Sequence, residues 1–104
     1  MYTFRQVIDA HIYSNITIEE LADHCNLSLS SFKREFAKNY NETPANYIKN
    51  RRLEKLAELL TASNNRINTI AFECGFNDLA NFTRSFHIKY GVTPSQYRLD
   101  QISK

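Results

Sequence analysis

The chain of 104 residues is poor in several residue types, with two glycines, two prolines, two cysteines and no tryptophan. So few glycines and prolines leave little room for long loops, and the absence of low-complexity tracts predicts an ordered chain. No apolar run approaches the ~20 residues that cross a membrane. There is also no signal peptide pattern, so we expect a cytoplasmic protein without membrane association.

The two cysteines, Cys25 and Cys74, occupy matching positions in two apolar helical stripes. This placement predicts buried free thiols. A disulfide would have to join the same core position of two separate lobes, which disulfide geometry disfavours. A zinc site lacks the paired Cys and His spacing that it needs, so we expect neither a metal nor a cofactor. No motif typical of an active site occurs, which argues against an enzyme.

The net charge of +2 is a weak signal, because 13 basic residues stand against 11 acidic ones. The charges are also divided evenly between the two halves of the chain. Any basic surface must therefore be local, and only the arrangement of charges can indicate nucleic-acid binding.

The chain does contain an internal repeat of about 50 residues. Leu21, Ala22 and Cys25 recur as Ile70, Ala71 and Cys74. At an offset of 50, eight residues between Leu29 and Tyr47 recur between Leu79 and Tyr97, and they include both Phe-x-Arg-x-Phe segments and both Thr-Pro pairs. Each copy reads as a helix, a short turn and a helix. A duplicated helix-turn-helix indicates two elements that read DNA.

Every strong hydrophobic period in the sequence is helical, which predicts an all-α fold of about seven helices. Thr17 and Glu20 form a capping-box pattern, and Asn26 and Gly75 suit left-handed turns. The periodicity predicts buried aromatic and aliphatic residues in two helices, Leu29, Phe32, Phe36 and Tyr40 in one and Leu79, Phe82, Phe86 and Tyr90 in the other. The predicted helices span about 3–14, 18–25, 29–40, 44–61, 67–74, 78–89 and from 94 to 99 or beyond.

The predicted elements group into two lobes, residues 1–52 and residues 53–104. The long helix over about 44–61 would link the lobes. The helices over 29–40 and 78–89 follow the turns, so they are the predicted recognition helices, which fit a major groove.

The exposed faces of these two helices supply the candidate DNA-binding residues. Arg34 and Arg84 occupy equivalent positions and can bond guanine, contact phosphate or remain solvated. Lys33 and Lys38 suit phosphates, and His87 can equally be an ordinary surface residue. The full set is Ser30, Ser31, Lys33, Arg34 and Lys38 in the first lobe and Leu79, Ala80, Asn81, Thr83, Arg84 and His87 in the second.

A helical protein-interaction module remains an alternative to DNA binding. It predicts apolar residues on the outer faces of the two recognition helices. Those faces instead carry Lys, Arg, Ser, Thr and His side chains, which favours DNA.

Three segments of the second lobe resemble the C-terminal signature of the AraC/XylS family of bacterial transcription regulators. They are Ile70-Ala71-Phe72-Glu73-Cys74-Gly75-Phe76-Asn77-Asp78, Phe82-Thr83-Arg84-Ser85-Phe86, and the segment from Tyr90 to Arg98 with Gly91-Val92-Thr93-Pro94. The first lobe resembles the family's more variable first helix-turn-helix. The resemblance covers about residues 4–98.

This resemblance implies two homeodomain-like lobes that read successive major-groove segments over a site on the order of 20 bp. It places Ser30, Lys33 and Arg34 on bases in the first lobe, and Leu79, Ala80, Thr83 and Arg84 in the second. The resemblance places Leu79 in the DNA groove, whereas the apolar spacing of the repeat places it in the core, so we expect Leu79 to be partly buried. The implied partners are double-stranded DNA and, for an activator, RNA polymerase. Most family members also carry a sensor, dimerisation or receiver domain, so we expect this chain to be a fragment of a longer regulator; the alternative is a stand-alone regulator controlled by its abundance.

Overall fold

The computed structural model describes residues 2–102, and this part of the chain contains seven α-helices and no strand. The predicted all-α class is therefore confirmed. The helices are α1 (Phe4–His11), α2 (Ile18–His24), α3 (Leu29–Tyr40), α4 (Pro44–Ala62), α5 (Ile67–Glu73), α6 (Leu79–Tyr90) and α7 (Pro94–Ile102).

Contacts between residues divide the chain into a first unit, Met1–Arg51, and a second unit, Arg52–Lys104. Each unit has its own buried core, and the two cores share no residue. In the first unit the core is Ile8, Ile12, Leu21, Ala22, Phe32, Phe36 and Ile48. In the second unit it is Leu53, Leu56, Ala57, Leu60, Ile70, Ala71, Cys74, Phe82 and Phe86.

Side-chain caps mark where most of the helices begin, with α5 as an exception. The predicted capping box at α2 is present, since the Glu20 amide donates to Thr17 Oγ1 across 3.1 Å and the Thr17 amide donates to the Glu20 carboxylate. A second box, formed by Thr3 and Gln6 at α1, was not among the predictions, although Thr-x-x-Gln fits the same pattern. Such caps satisfy amides that the first helical turn leaves unpaired. At α3 and α6 a single cap bond is present: the Ser28 side chain accepts from the Ser31 amide, and the Asp78 side chain accepts from the Asn81 amide.

The turns within the two repeats use left-handed backbone. Asn26 has φ of 56° after α2, and Gly75 has φ of 100° after α5, as the sequence predicted. The ends of α3 and α6 are also equivalent, because Asn41 with φ of 56° and Gly91 with φ of 79° both cap their helix in the left-handed region. Asn tolerates this conformation better than most residues. Asn41 therefore ends α3 in the first unit as Gly91 ends α6 in the second, although no glycine stands at that position of the first repeat.

Three sequence expectations are corrected. The first helix ends at His11 rather than near residue 14, because the amide and the hydroxyl of Ser14 both donate to the His11 carbonyl and close a turn there. Leu29 was expected in the core but is 36% exposed, since the first residue of α3 lies at a surface groove. Cys25 is half-buried, whereas Cys74 is buried; both are free thiols.

Within residues 2–102, no helix is both long enough and apolar enough to cross a membrane. The same part of the chain holds no cluster of three or more His, Cys, Asp or Glu side chains arranged to bind a metal ion.

Candidate nucleic-acid interface

Helix α3 is fixed in the first unit by aromatic residues on its inner face. Phe32 and Phe36 are fully buried, with ring centroids 5.7 Å apart. Phe36 also contacts Tyr40 in a tilted arrangement, with ring centroids 4.5 Å apart, and packs edge-to-face with Tyr47 from α4 at 5.4 Å. Such a packed face leaves the helix little freedom to rotate, so its opposite face has a defined direction.

The C-terminal end of α3 is held by a cation from α1. The Arg5 guanidinium donates a hydrogen bond to the Asn39 backbone carbonyl and lies over the Tyr40 ring, 4.7 Å from its centroid. A cation at a helix C-terminus meets carbonyls that lack an intrahelical partner and is favoured by the helix dipole. Both ends of α3, the Ser28 cap and the Arg5 contact, are therefore anchored within the first unit.

The outer face of α3 is exposed and positively charged. Lys33, Arg34 and Lys38 are all exposed there, together with Ser30, whereas Ser31 is half-buried. Glu35, the one acidic residue of this helix, turns away from the exposed face, is half-buried and accepts from the Asn39 amide side chain. The face therefore presents cations and a hydroxyl, as predicted for a surface that meets nucleic acid.

Helix α6 repeats this arrangement in the second unit. Phe82 and Phe86 are buried, and Phe86 contacts Tyr90 at 4.6 Å and Tyr97 at 5.5 Å. Leu79 is partly buried against the same core, which confirms the expected partial burial. The side chains exposed on α6 include Ala80, Asn81, Thr83, Arg84 and His87.

Hydrogen bonds on α6 limit what two of these side chains can offer a base. The Thr83 hydroxyl donates to the Leu79 carbonyl across 2.8 Å, so its lone pairs and its methyl group remain available. The Asn81 side-chain oxygen accepts from the Ser85 hydroxyl at 3.3 Å. Thr83 can therefore accept from a base amino group or contact a thymine methyl, and the free amide hydrogens of Asn81 can donate to an acceptor.

An open groove of about 340 Å³ runs beside α3 in the first unit. Leu29, Lys33 and Ala37 form one wall, and Ile18 and Pro44 contribute to the others. This groove was not predicted, because helical periodicity alone placed Leu29 in the core. Ile88, which is 78% exposed, is a second apolar side chain on a predicted recognition helix, α6, and it was not among the candidate residues.

The predicted outer faces are thus exposed as expected, with Ser31 and Leu79 partly buried at the margins. Contact of these residues with DNA stays a prediction. The hydrogen bond between Ser31 and Arg34 was also not predicted. The available signal was a hydroxyl three residues before an arginine on the same helix.

Comparison with known proteins agrees with this geometry. A family model described as a helix-turn-helix domain matches residues 21–100. The HTH-type transcriptional activator RhaS of Escherichia fergusonii is 32% identical over 91 residues, which cover 88% of this chain and 33% of RhaS. The chain thus spans about a third of that relative's length.

Solved structures share the fold. The C-terminal domain of the two-component response regulator yesN from Fusobacterium nucleatum superposes with a TM-score of 0.84 and 28% identity, covering 91% of this chain and 93% of that domain. The DNA-binding domain of AdpA, solved in complex with a target DNA, gives a TM-score of 0.86 over 93% of this chain and 90% of that one. Its identity of 23% makes this a likeness of fold.

The family model covers the two helix-turn-helix repeats and the signature segments between Ile70 and Arg98. Together with the similarity to RhaS and the yesN domain, this match settles the relationship. The chain belongs to the AraC/XylS family of helix-turn-helix transcription regulators.

Proposed function

We propose that this chain binds double-stranded DNA in a sequence-specific manner as the DNA-binding part of a bacterial AraC-type regulator. Each unit would contribute one helix-turn-helix, with α3 and α6 as the recognition helices in successive major-groove segments. The observation that carries the proposal is the equivalent construction of α3 and α6. Each buries a Phe pair and exposes arginine at the position between the two, Arg34 and Arg84.

The division of roles follows from side-chain chemistry. Arg34 and Arg84 can each donate two hydrogen bonds to the O6 and N7 atoms of guanine. Ser30, Ala80, Asn81 and Thr83 are short enough to meet base edges, whereas Lys33 and Lys38 are flexible point charges suited to phosphates. The first unit would depend more on charge, and the second more on Arg84 and on apolar contacts.

The wider role follows the family. RhaS is named a transcriptional activator, and an activator would add RNA polymerase as a partner. Because relatives such as RhaS are about three times as long as the matched segment, a sensor, dimerisation or receiver domain would complete the regulator. The proposed place of action is the bacterial cytoplasm, without membrane, metal or cofactor and without a catalytic role.

The decisive experiment is selection of bound duplexes from a random DNA pool with the full chain, followed by affinity measurements at several salt concentrations. Enrichment of a bipartite motif whose halves lie about one helical turn apart is the expected result. Affinity should fall steeply with salt, because each neutralised phosphate releases counterions. Salt-sensitive binding without any enriched motif would refute sequence-specific reading by this chain, and the absence of binding would refute the DNA-binding role.

A further inference from the structure

Arg34 and Arg84 occupy the same position of the repeat but differ in their surroundings. The Arg34 guanidinium donates from Nη2 to Ser31 Oγ across 3.3 Å. Within residues 2–102, the Arg84 guanidinium has no hydrogen-bond or ion-pair partner. The residue equivalent to Ser31 is Asn81, and its side-chain oxygen is directed to Ser85 instead. The same spacing therefore produces a tethered arginine in one unit and an untethered arginine in the other.

The tether of Arg34 continues into the helix cap. The Ser31 amide donates to Ser28 Oγ at 3.3 Å, and the Ser28 hydroxyl donates to Ser31 Oγ at 3.1 Å. Ser31 Oγ thus accepts from both Ser28 and Arg34, which occupies its two lone pairs. Hydrogen bonds in a chain of this kind polarise one another.

This bonding pattern leaves Ser31 few hydrogen-bonding groups with which to read a base, whereas Arg34 keeps enough N–H donors to do so. Ser31 is half-buried and keeps only its O–H as a donor. A guanidinium has five N–H groups, so one bond to Ser31 still leaves a pair that can reach guanine. An arginine held in one orientation loses less rotamer freedom when it binds.

From this geometry we propose that Ser31 is a positioning residue: its hydroxyl, fixed by Ser28, holds the Arg34 guanidinium ready for a guanine in the first half-site, while Arg84 is ordered only on binding. This inference rests on the proposed DNA-binding function. It assigns Ser31 an effect that is transmitted through Arg34 rather than by contact with DNA.

The test is a double-mutant cycle on the duplex recovered from the random pool, with Ser31→Ala, Arg34→Ala and the double variant in the full chain. For each protein, affinity is measured for the selected duplex and for duplexes altered at each base pair. Ser31→Ala should reduce the preference for guanine in the first half-site by about two- to tenfold, the range expected for ordering one long side chain. In the Arg34→Ala background the same substitution should have no effect, because residues that act through one another are not additive.

Three further proteins separate positioning from a structural effect. Ser31→Thr keeps the hydroxyl and should retain the guanine preference. Ser95→Ala, the same truncation at an exposed site on α7, should change neither affinity nor specificity. The melting temperature of Ser31→Ala should match the parent protein, because the cap bond to Ser28 is made by the Ser31 amide and survives the substitution.

The outcomes distinguish the inference from the function that it rests on. Equal losses from Ser31→Ala with and without Arg34 would overturn positioning and assign Ser31 a contact of its own. An unchanged guanine preference in Ser31→Ala, with a clear loss in Arg34→Ala, would overturn the tether but keep Arg34 as a reader. If Arg34→Ala also left every preference unchanged, the role of both residues in specificity would be refuted, and failure to recover any motif would instead refute the proposed function.

Discussion

The Arg98 guanidinium on α7 donates from Nε to the backbone carbonyl of Leu60, in the last turn of α4, across 2.9 Å. Its Nη2 donates to the Ser63 carbonyl at 3.0 Å. These carbonyls lie where a helix end leaves acceptors without intrahelical partners, and a cation there is favoured by the helix dipole. The equivalent residue of the first unit is Ile48, which is buried in the core, so the tie between α7 and α4 is a feature of the second unit alone.

Arg98→Ala should destabilise the second unit by about 2–3 kcal/mol, because two charge-assisted hydrogen bonds are lost and partly buried carbonyls remain unpaired. Urea denaturation followed by far-UV circular dichroism measures this change. Arg84→Ala is the matched control, since that exposed side chain has no partner within residues 2–102, and its effect should stay within about 0.5 kcal/mol. Equal stability of the two variants would contradict the assigned role of Arg98.

Phe86→Ala should cost about 3–5 kcal/mol, because it removes a fully buried ring and leaves a cavity. Phe72→Ala on α5 removes the same side chain from a site that is 56% exposed, so its cost should be much smaller. Thermal unfolding of both variants provides the comparison. A shift of only a degree or two for Phe86→Ala would show that the core around α6 is not packed as described.

Arg84→Ala should reduce discrimination at one base pair by about 1–3 kcal/mol if Arg84 bonds guanine. Competition binding with duplexes altered at each position measures this loss. Lys33→Ala supplies the contrast, because loss of a phosphate contact should weaken binding to all sequences similarly and reduce the salt slope by about one unit. An unchanged preference across every altered duplex would exclude base reading by Arg84.

Stability should fall at alkaline pH, because burial raises the pKa of the Cys74 thiol from 9.0 to about 11. Below pH 9 the thiol is neutral in both the folded and the unfolded chain, and its contribution is fully present. That contribution is lost as pH rises from 9 towards 11, since only the unfolded chain then releases the proton. The loss should reach roughly 2 kcal/mol.

The measurement is urea denaturation of the parent protein and of Cys74→Ala at about pH 8 and about pH 11. The variant begins from a lower stability, because it loses a buried sulfur, but it should decline less between the two pH values. Burial also raises the pKa of Tyr40 to about 12, which affects both proteins equally. If the stabilities of the two proteins declined by the same amount, the Cys74 thiol would not differ in protonation between the folded and the unfolded chain over this pH range.

The helices, most of their caps and the exposed outer faces of α3 and α6 could be predicted from the sequence, because periodicity and capping patterns are local. Leu29 and Leu79 show what helical periodicity does not predict. They share one repeat position, yet Leu79 packs against its core and Leu29 borders a groove. Periodicity gives the direction of a side chain but not the residues that lie opposite it. The Arg98 contacts were missed for a related reason, since they join residues 35 and 38 positions apart.

The separate cores have an evolutionary consequence. The fully packed residues of the first unit lie between Ile8 and Ile48, and those of the second between Leu53 and Phe86, with none in common. A substitution within one core therefore changes no residue of the other buried set. Under the proposed function, the two copies of the repeat can therefore change at different rates, so that a lineage acquires a new target in one half-site and keeps its inherited preference in the other.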